Sequence, residues 1–152
     1  MRRVASEIGV TQPVIYSAFA GGRQAIIDAV AISGFEAIAT ALTSLPPEPG
    51  TRMQAYLDFA NAQPRLYEAM FSMPSGLEFG TGATPEVLQR AFTGIQEAFP
   101  AADDAAAELA WATVHGLATL EISGRLPTSK SQARLDHACR ALTQESRCGA
   151  DL

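Results

Sequence analysis

The chain has 152 residues, 47% of them apolar with alanine prominent, and strand formers gather nowhere along it, so one compact helical unit is expected. No apolar run reaches the roughly 18 residues of a membrane span and no basic-then-apolar leader is present, so a cytoplasmic protein without a membrane partner is expected. The net charge of −5 argues mildly against nucleic acid, but residues 1–24 hold Arg2, Arg3 and Arg23 against Glu7, a local +2 that leaves −7 for the rest.

That basic end carries the most informative stretch, from Arg3 to Phe19. Ala5 stands four residues before Gly9, where a second helix must cross close above the first. Gly9 supplies the left-handed backbone that closes the first helix. Val4, Ile8, Val10 and Ile15 form the apolar side of the corner. Thr11 is placed to cap the second helix, and Pro13 is tolerated in its first turn, where N–H groups lack intrahelical partners. Together these features describe a helix-turn-helix. Its second helix would present Thr11, Gln12, Tyr16 and Ser17 outward, with Gln12 and Tyr16 as groove contacts and Thr11 able to meet a phosphate. Arg2 and Arg3 would sit near phosphates, and Arg23 would clamp the backbone from the other side.

The continuation, Tyr16-Ser17-Ala18-Phe19 and then Gly21-Gly22-Arg23-Gln24-Ala25-Ile26-Ile27, resembles the end of the DNA-binding domain in TetR-family transcriptional regulators. That family carries Tyr-x-x-Phe at the end of the recognition helix, then a basic residue and an apolar run that open a long helix. The resemblance implies a homodimeric, ligand-responsive protein that binds palindromic double-stranded DNA. It divides the chain into a head, 1–30, and a ligand-binding and dimerisation body, 31–152. TetR-type heads have three helices, the first lying before the one that starts here at Met1, so either the start is placed late or that helix is lost.

A long helix is expected from Gly22 to about Leu45, with Ile27, Val30, Gly34, Ile38, Ala41 and Leu45 at helical spacing and Pro46-Pro47 as its stop. It would link head to body as a lever, and Pro46 to Gly50 is a stiff loop. Thr51 is read as the cap of the next helix, with Met53, Tyr56, Leu57 and Ala60 inward. Pro64 breaks it, and a short helix follows to Phe71; that run also resembles TetR-type ligand domains. Residues 73–83 read as loop. Thr84-Pro85-Glu86 opens a helix lined by Leu88, Ala91, Phe92, Ile95 and Phe99 and ended by Pro100.

The penultimate helix, about Ala102 to Ile122, is apolar nearly all round, so a partner subunit is its simplest cover. Trp111 to Leu120 and Gly124-Arg125-Leu126-Pro127 resemble a TetR C-terminal subgroup marked by Trp, His and Gly, and in that family the last two helices build a four-helix dimer interface. The final helix, about Ser129 to Gln144, carries Leu135, Ala138, Cys139 and Leu142 on one face, with a loose tail beyond Ser146. A charge placed at Leu120 or Leu135 is expected to weaken the dimer.

Catalysis is not expected. His115 and His137 are the only histidines, no metal-binding or phosphate-binding pattern exists, and Asp103-Asp104 fit a helix start. Cys139 and Cys148 suit a reduced compartment. No cofactor is implied. Tyr56, Phe59, Tyr67, Met70, Phe71 and Phe92, with Met73, are a hydrophobic core first, yet flexible and aromatic types with a few polar groups also suit an effector pocket. Trp111 belongs to core, interface or pocket. His115 is either a core histidine bonded to a neighbouring carbonyl or a polar contact to an effector. The reading is an all-α TetR-like repressor released by a small apolar effector; the alternative is an effector-binding helical dimer whose truncated head no longer binds DNA specifically.

Overall fold

The computed structural model describes residues 1–71, 77, 84–99 and 105–148, and among them there are only helices and turns. In chain order these are α1 (Arg2–Glu7), α2 (Gln12–Ala18), α3 (Gly22–Thr43), α4 (Pro49–Ala62), α5 (Pro64–Phe71), α6 (Glu86–Gln96), α7 (Ala105–Ile122), a short 3-10 turn (Thr128–Lys130) and α8 (Ser131–Cys148). The all-α class is as expected. The loop expected over 73–83, except Leu77, lies outside the described residues, as do Pro100, Asp103, Asp104 and the tail after Cys148.

At the N-terminal corner Gly9 has φ +69°, and the Val10 N–H reaches the Ala5 carbonyl at 3.0 Å to close α1. Ala5 and Ile15 are buried in the angle between the two helices. Thr11 precedes α2 in extended conformation, but its hydroxyl makes no capping hydrogen bond. The other apolar residues of the corner are not covered: Val4, Ile8 and Val14 are 44%, 63% and 51% exposed.

Everything else is arranged around α3. Its stripe of Ile27, Ala31, Phe35, Ile38 and Leu42 is buried, and it packs chiefly on α6 and α5, with α4 alongside. Two close approaches are glycine-dependent. A Cβ on Gly94 would stand 2.9 Å from the Leu42 Cβ, and one on Gly34 would collide with the Met70 side chain. By length and composition α3 could cross a membrane, with a mean hydropathy of 1.7, although Asp28 and Glu36 interrupt any apolar run; here its apolar stripe is spent on the core.

Two helix boundaries differ from the sequence reading. α4 starts at Pro49, not after Thr51, because proline already has the backbone angle of a first helical position. α8 begins two residues later than expected and continues to Cys148. The sequence reading also passed over Arg52, which is 2% exposed. Its Nε donates to the Leu45 and Pro46 carbonyls, both at 3.1 Å, and its Nη1 to the Gly94 carbonyl at 2.7 Å. The guanidinium thus closes the end of α3 and ties α4 to α6, with Glu97 beside it at 3.4 Å.

α7 and α8 complete the body against α4. Ala107, Ala110, Val114, Ala118 and Glu121 point inward from α7. The buried Glu121 carboxylate accepts from Arg134 and from the Ser131 hydroxyl, which pins the start of α8. Leu135 is 2% exposed, so it belongs to the core of the protomer rather than to an outer face. A charge there would unfold the chain and report nothing about assembly. The outer face of α7 is different. Leu109 and Leu120 are 49% and 38% exposed, and no atom lies within 4 Å of where a Gly116 Cβ would stand.

Candidate functional site

Among the described residues, two cavities lie side by side in the body. The first, of about 670 Å³, is walled by Phe35 and Ile38 of α3, Tyr56 of α4, Leu88 and Phe92 of α6, and Trp111 of α7. Thr84, Gln89, Gln96 and Glu108 add polar groups around it. The second, of about 540 Å³, lies between α5 and the end of α7, lined by Arg65, Tyr67, Glu68, His115, Thr119 and Ser123. Phe71 lines both and forms the partition.

The partition is an aromatic stack. Phe71 lies 4.4 Å from the His115 ring, 4.8 Å from Tyr67 and 5.4 Å, edge-on, from Phe35. Edge and tilted contacts of this kind fix ring orientation as well as burying area. Phe92 makes a further edge contact with Trp111 at 5.9 Å.

A chain of hydrogen bonds runs through it from one cavity to the other. Trp111 Nε1 donates to Tyr56 Oη at 3.4 Å, Tyr67 Oη donates to Tyr56 Oη at 3.1 Å, and Tyr67 Oη lies 2.6 Å from His115 Nδ1. His115 is therefore held by a phenol, not by the carbonyl bond considered from sequence. Burial pushes the Tyr56 phenol up to about 12 and Tyr67 further still, so both stay protonated. Burial also lowers the His115 imidazole, favouring its neutral form.

Of the eight residues singled out for the ligand, Tyr56, Phe71, Phe92 and Trp111 line the first cavity, and Tyr67, Phe71 and His115 the second. Phe59 and Met70 line neither and are packed in the core, 8% and 2% exposed. Phe35 and Ile38 were not singled out as cavity residues. Their positions on the stripe of α3 gave a core signal, and only the close packing of α6 and α5 reveals that this stripe also faces a cavity.

At the other end of the chain, Arg2, Arg3, Thr11, Tyr16, Ser17 and Arg23 are exposed and Gln12 is half-buried. They are distributed over α1, α2 with the residue before it, and the first turn of α3. Ser17 is partly spent, since its hydroxyl bonds the Val14 carbonyl of its own helix at 2.9 Å.

Residues 51–142, which carry α4 to α8 and most of both cavity walls, match the model of the tetracyclin repressor-like C-terminal domain. The chain belongs to the TetR-like family. Its fold is also similar to a solved structure from Rhodococcus sp. RHA1, a protein with unknown function, at 26% identity and a TM-score of 0.59, covering 82% of this chain and 74% of that one. No curated protein matches. The TetR-like domain is regulatory rather than enzymatic, which accords with the lack of any catalytic pattern in the sequence.

Proposed function

We infer that the protein is a transcriptional regulator of the TetR type: a cytoplasmic homodimer that binds a palindromic operator through α1 and α2 and releases it when a small, largely apolar effector enters the first cavity. One observation carries the reading. Phe35 and Ile38, which wall that cavity, belong to the same 22-residue helix that follows α2 after three residues, its Gly22 N–H bonding the Phe19 carbonyl at 2.8 Å. A ligand touching them bears directly on the element that sets the spacing of two heads in a dimer. The family match supports regulation by a ligand, and the exposed Arg3, Tyr16 and Arg23, with the half-buried Gln12, support DNA as the partner. The Leu109–Leu120 face of α7 supports dimerisation.

The test is selection of double-stranded DNA from a random library, followed by release from the selected sequence with uncharged apolar compounds that raise the melting temperature. Enrichment of a palindrome and its release by such a compound are expected. Failure to enrich any sequence even at low salt would favour the second reading, an effector-binding dimer with an incompetent head. The exposure of Val4, Ile8 and Val14 is the observation on that side.

A further inference from the structure

The relay between the cavities has a proton count that limits what the first cavity can hold. Tyr56 Oη accepts from Trp111 Nε1 and from Tyr67 Oη, which fills both of its acceptor positions. Its own proton is then the one hydrogen-bonding capacity left to it, and Tyr56 is a residue of the first cavity's wall. When Tyr67 gives its proton to Tyr56, its 2.6 Å contact with His115 requires Nδ1 to be the donor. Tyr67 has a single proton, so with that proton given to one ring neighbour the contact with the other is made only if Tyr67 accepts. The relay therefore runs in one of two directions: toward Tyr56, with its proton offered to the first cavity, or toward His115, with the imidazole proton on Nε2 offered to the second.

The walls narrow the ligand further. Phe35, Ile38, Leu88 and Phe92 make the body of the first cavity apolar, and Glu108 at its edge repels an anion. We propose that the first cavity takes an uncharged apolar molecule bearing a carbonyl acceptor, a ketone, ester or lactone, that receives the Tyr56 hydroxyl proton, and that this bond holds His115 in its Nδ1–H tautomer. The proposal rests on the reading of this cavity as the effector site. Tyr56 is the ligand contact, and His115 is a positioning residue that acts through Tyr67. Because the second cavity meets the other end of the same relay, a carbonyl bound in the first makes the His115 Nε2 an acceptor there. The two cavities are coupled without any movement of the backbone.

The experiment uses the 2-alkanones from octanone to tridecanone and the n-alkanes of equal length, with the fluorescence of Trp111, the only tryptophan in the chain, as the readout of occupancy. Transfer from water favours the alkane, so the comparison is the effect of Tyr56→Phe on each member of a pair. Tyr56→Phe is expected to weaken the best ketone about threefold to tenfold, the net worth of one hydrogen bond, and to leave its alkane unchanged. Nitrogen-15 NMR at about pH 8, above the ordinary histidine range, reads the tautomer directly in the ketone-saturated protein, with exposed His137 replaced by Gln for assignment. His115 should carry its proton on Nδ1 there and on Nε2 in Tyr56→Phe, where Tyr67 is free to donate to the imidazole. Equal losses for ketone and alkane, or an Nε2 proton in the ketone-bound wild type, would overturn the proposal while leaving the pocket intact. If no alkanone or alkane perturbs Trp111, the effector-site reading fails and the proposal with it.

Discussion

Gly116→Ala separates the stability of the protomer from that of the assembly, because it should move them in opposite directions. Leu109, Thr113, Gly116 and Leu120 are spaced by four, three and four residues, so they lie along one stripe of α7. Within the protomer a methyl group on Gly116 meets nothing within 4 Å. Mid-helix glycine costs roughly 1 kcal/mol relative to alanine, so the substitution should stabilise an isolated protomer by about that amount. A helix keeps such a glycine at no benefit to itself, and close approach by a second helix would explain it. In a two-fold dimer crossing at this stripe each protomer brings a methyl group into the contact. Overpacking of that kind costs roughly 1–3 kcal/mol, about fivefold to 150-fold in the dissociation constant. Sedimentation equilibrium gives the dimer constant, and urea unfolding at low protomer concentration gives the stability. A dimer as tight as wild type in a more stable Gly116→Ala protein would refute a helix crossing at this position. Leu120→Glu is the companion, expected to dissociate the dimer without unfolding the protomer, since Leu120 is already 38% exposed.

Arg52→Met should destabilise the fold by about 3 kcal/mol or more in urea unfolding, because the buried Gly94 carbonyl and the part-buried Leu45 and Pro46 carbonyls lose a charged donor; a loss under roughly 1 kcal/mol would deny the guanidinium its role as a tie. His115 has its imidazole lowered by burial, so the unfolded chain binds the proton more readily, and stability present above the unfolded value near 6.5 is lost as pH falls through the folded one. Replacing His115 by Gln should flatten that part of the stability profile between neutral pH and the carboxylate range, and an unchanged slope would assign it to other groups. On a selected operator, Gln12→Ala and Tyr16→Ala should reduce discrimination between sequences, whereas Arg3→Ala and Arg23→Ala should weaken all DNA and lower the log–log salt slope by about 0.9 per lost phosphate contact. An amphipathic helix joined ahead of Met1 should tighten operator binding by covering Val4, Ile8 and Val14, and equal binding with and without it would show that the corner needs no cover.

What could be read in the sequence was whatever a single helix declares about itself. The turn at Gly9, the break at Pro64 and the start of α6 after Pro85 each depend on one residue's backbone preference, and they stand where that preference put them. The apolar periods placed α3, α4 and α7 within a few residues. What could not be read was which elements meet. Leu135 looks like an outward hydrophobe on a helix rich in polar residues until α4 and α7 are seen packed over it. Arg52 looks like a solvated first-turn charge; its partners are the end of the preceding helix and a carbonyl 42 residues away.

The same distinction explains why the cavity walls were half legible. Aromatic and methionine side chains mark a cavity wall and a solid core equally well, and burial alone does not separate them: Tyr56 and Met70 are both 2% exposed. What separates them is where α6 stands. Gly94 lets α6 settle against Leu42 at one end, and the side of α3 that carries Phe35 and Ile38, besides packing on Phe71, borders the space walled by Phe92 and Trp111. Met70, on the flank of α3 at Gly34, has no such gap and fills its own. Phe35 and Ile38 of the cavity wall and the turn that follows the N-terminal corner thus belong to one helix of 22 residues, α3.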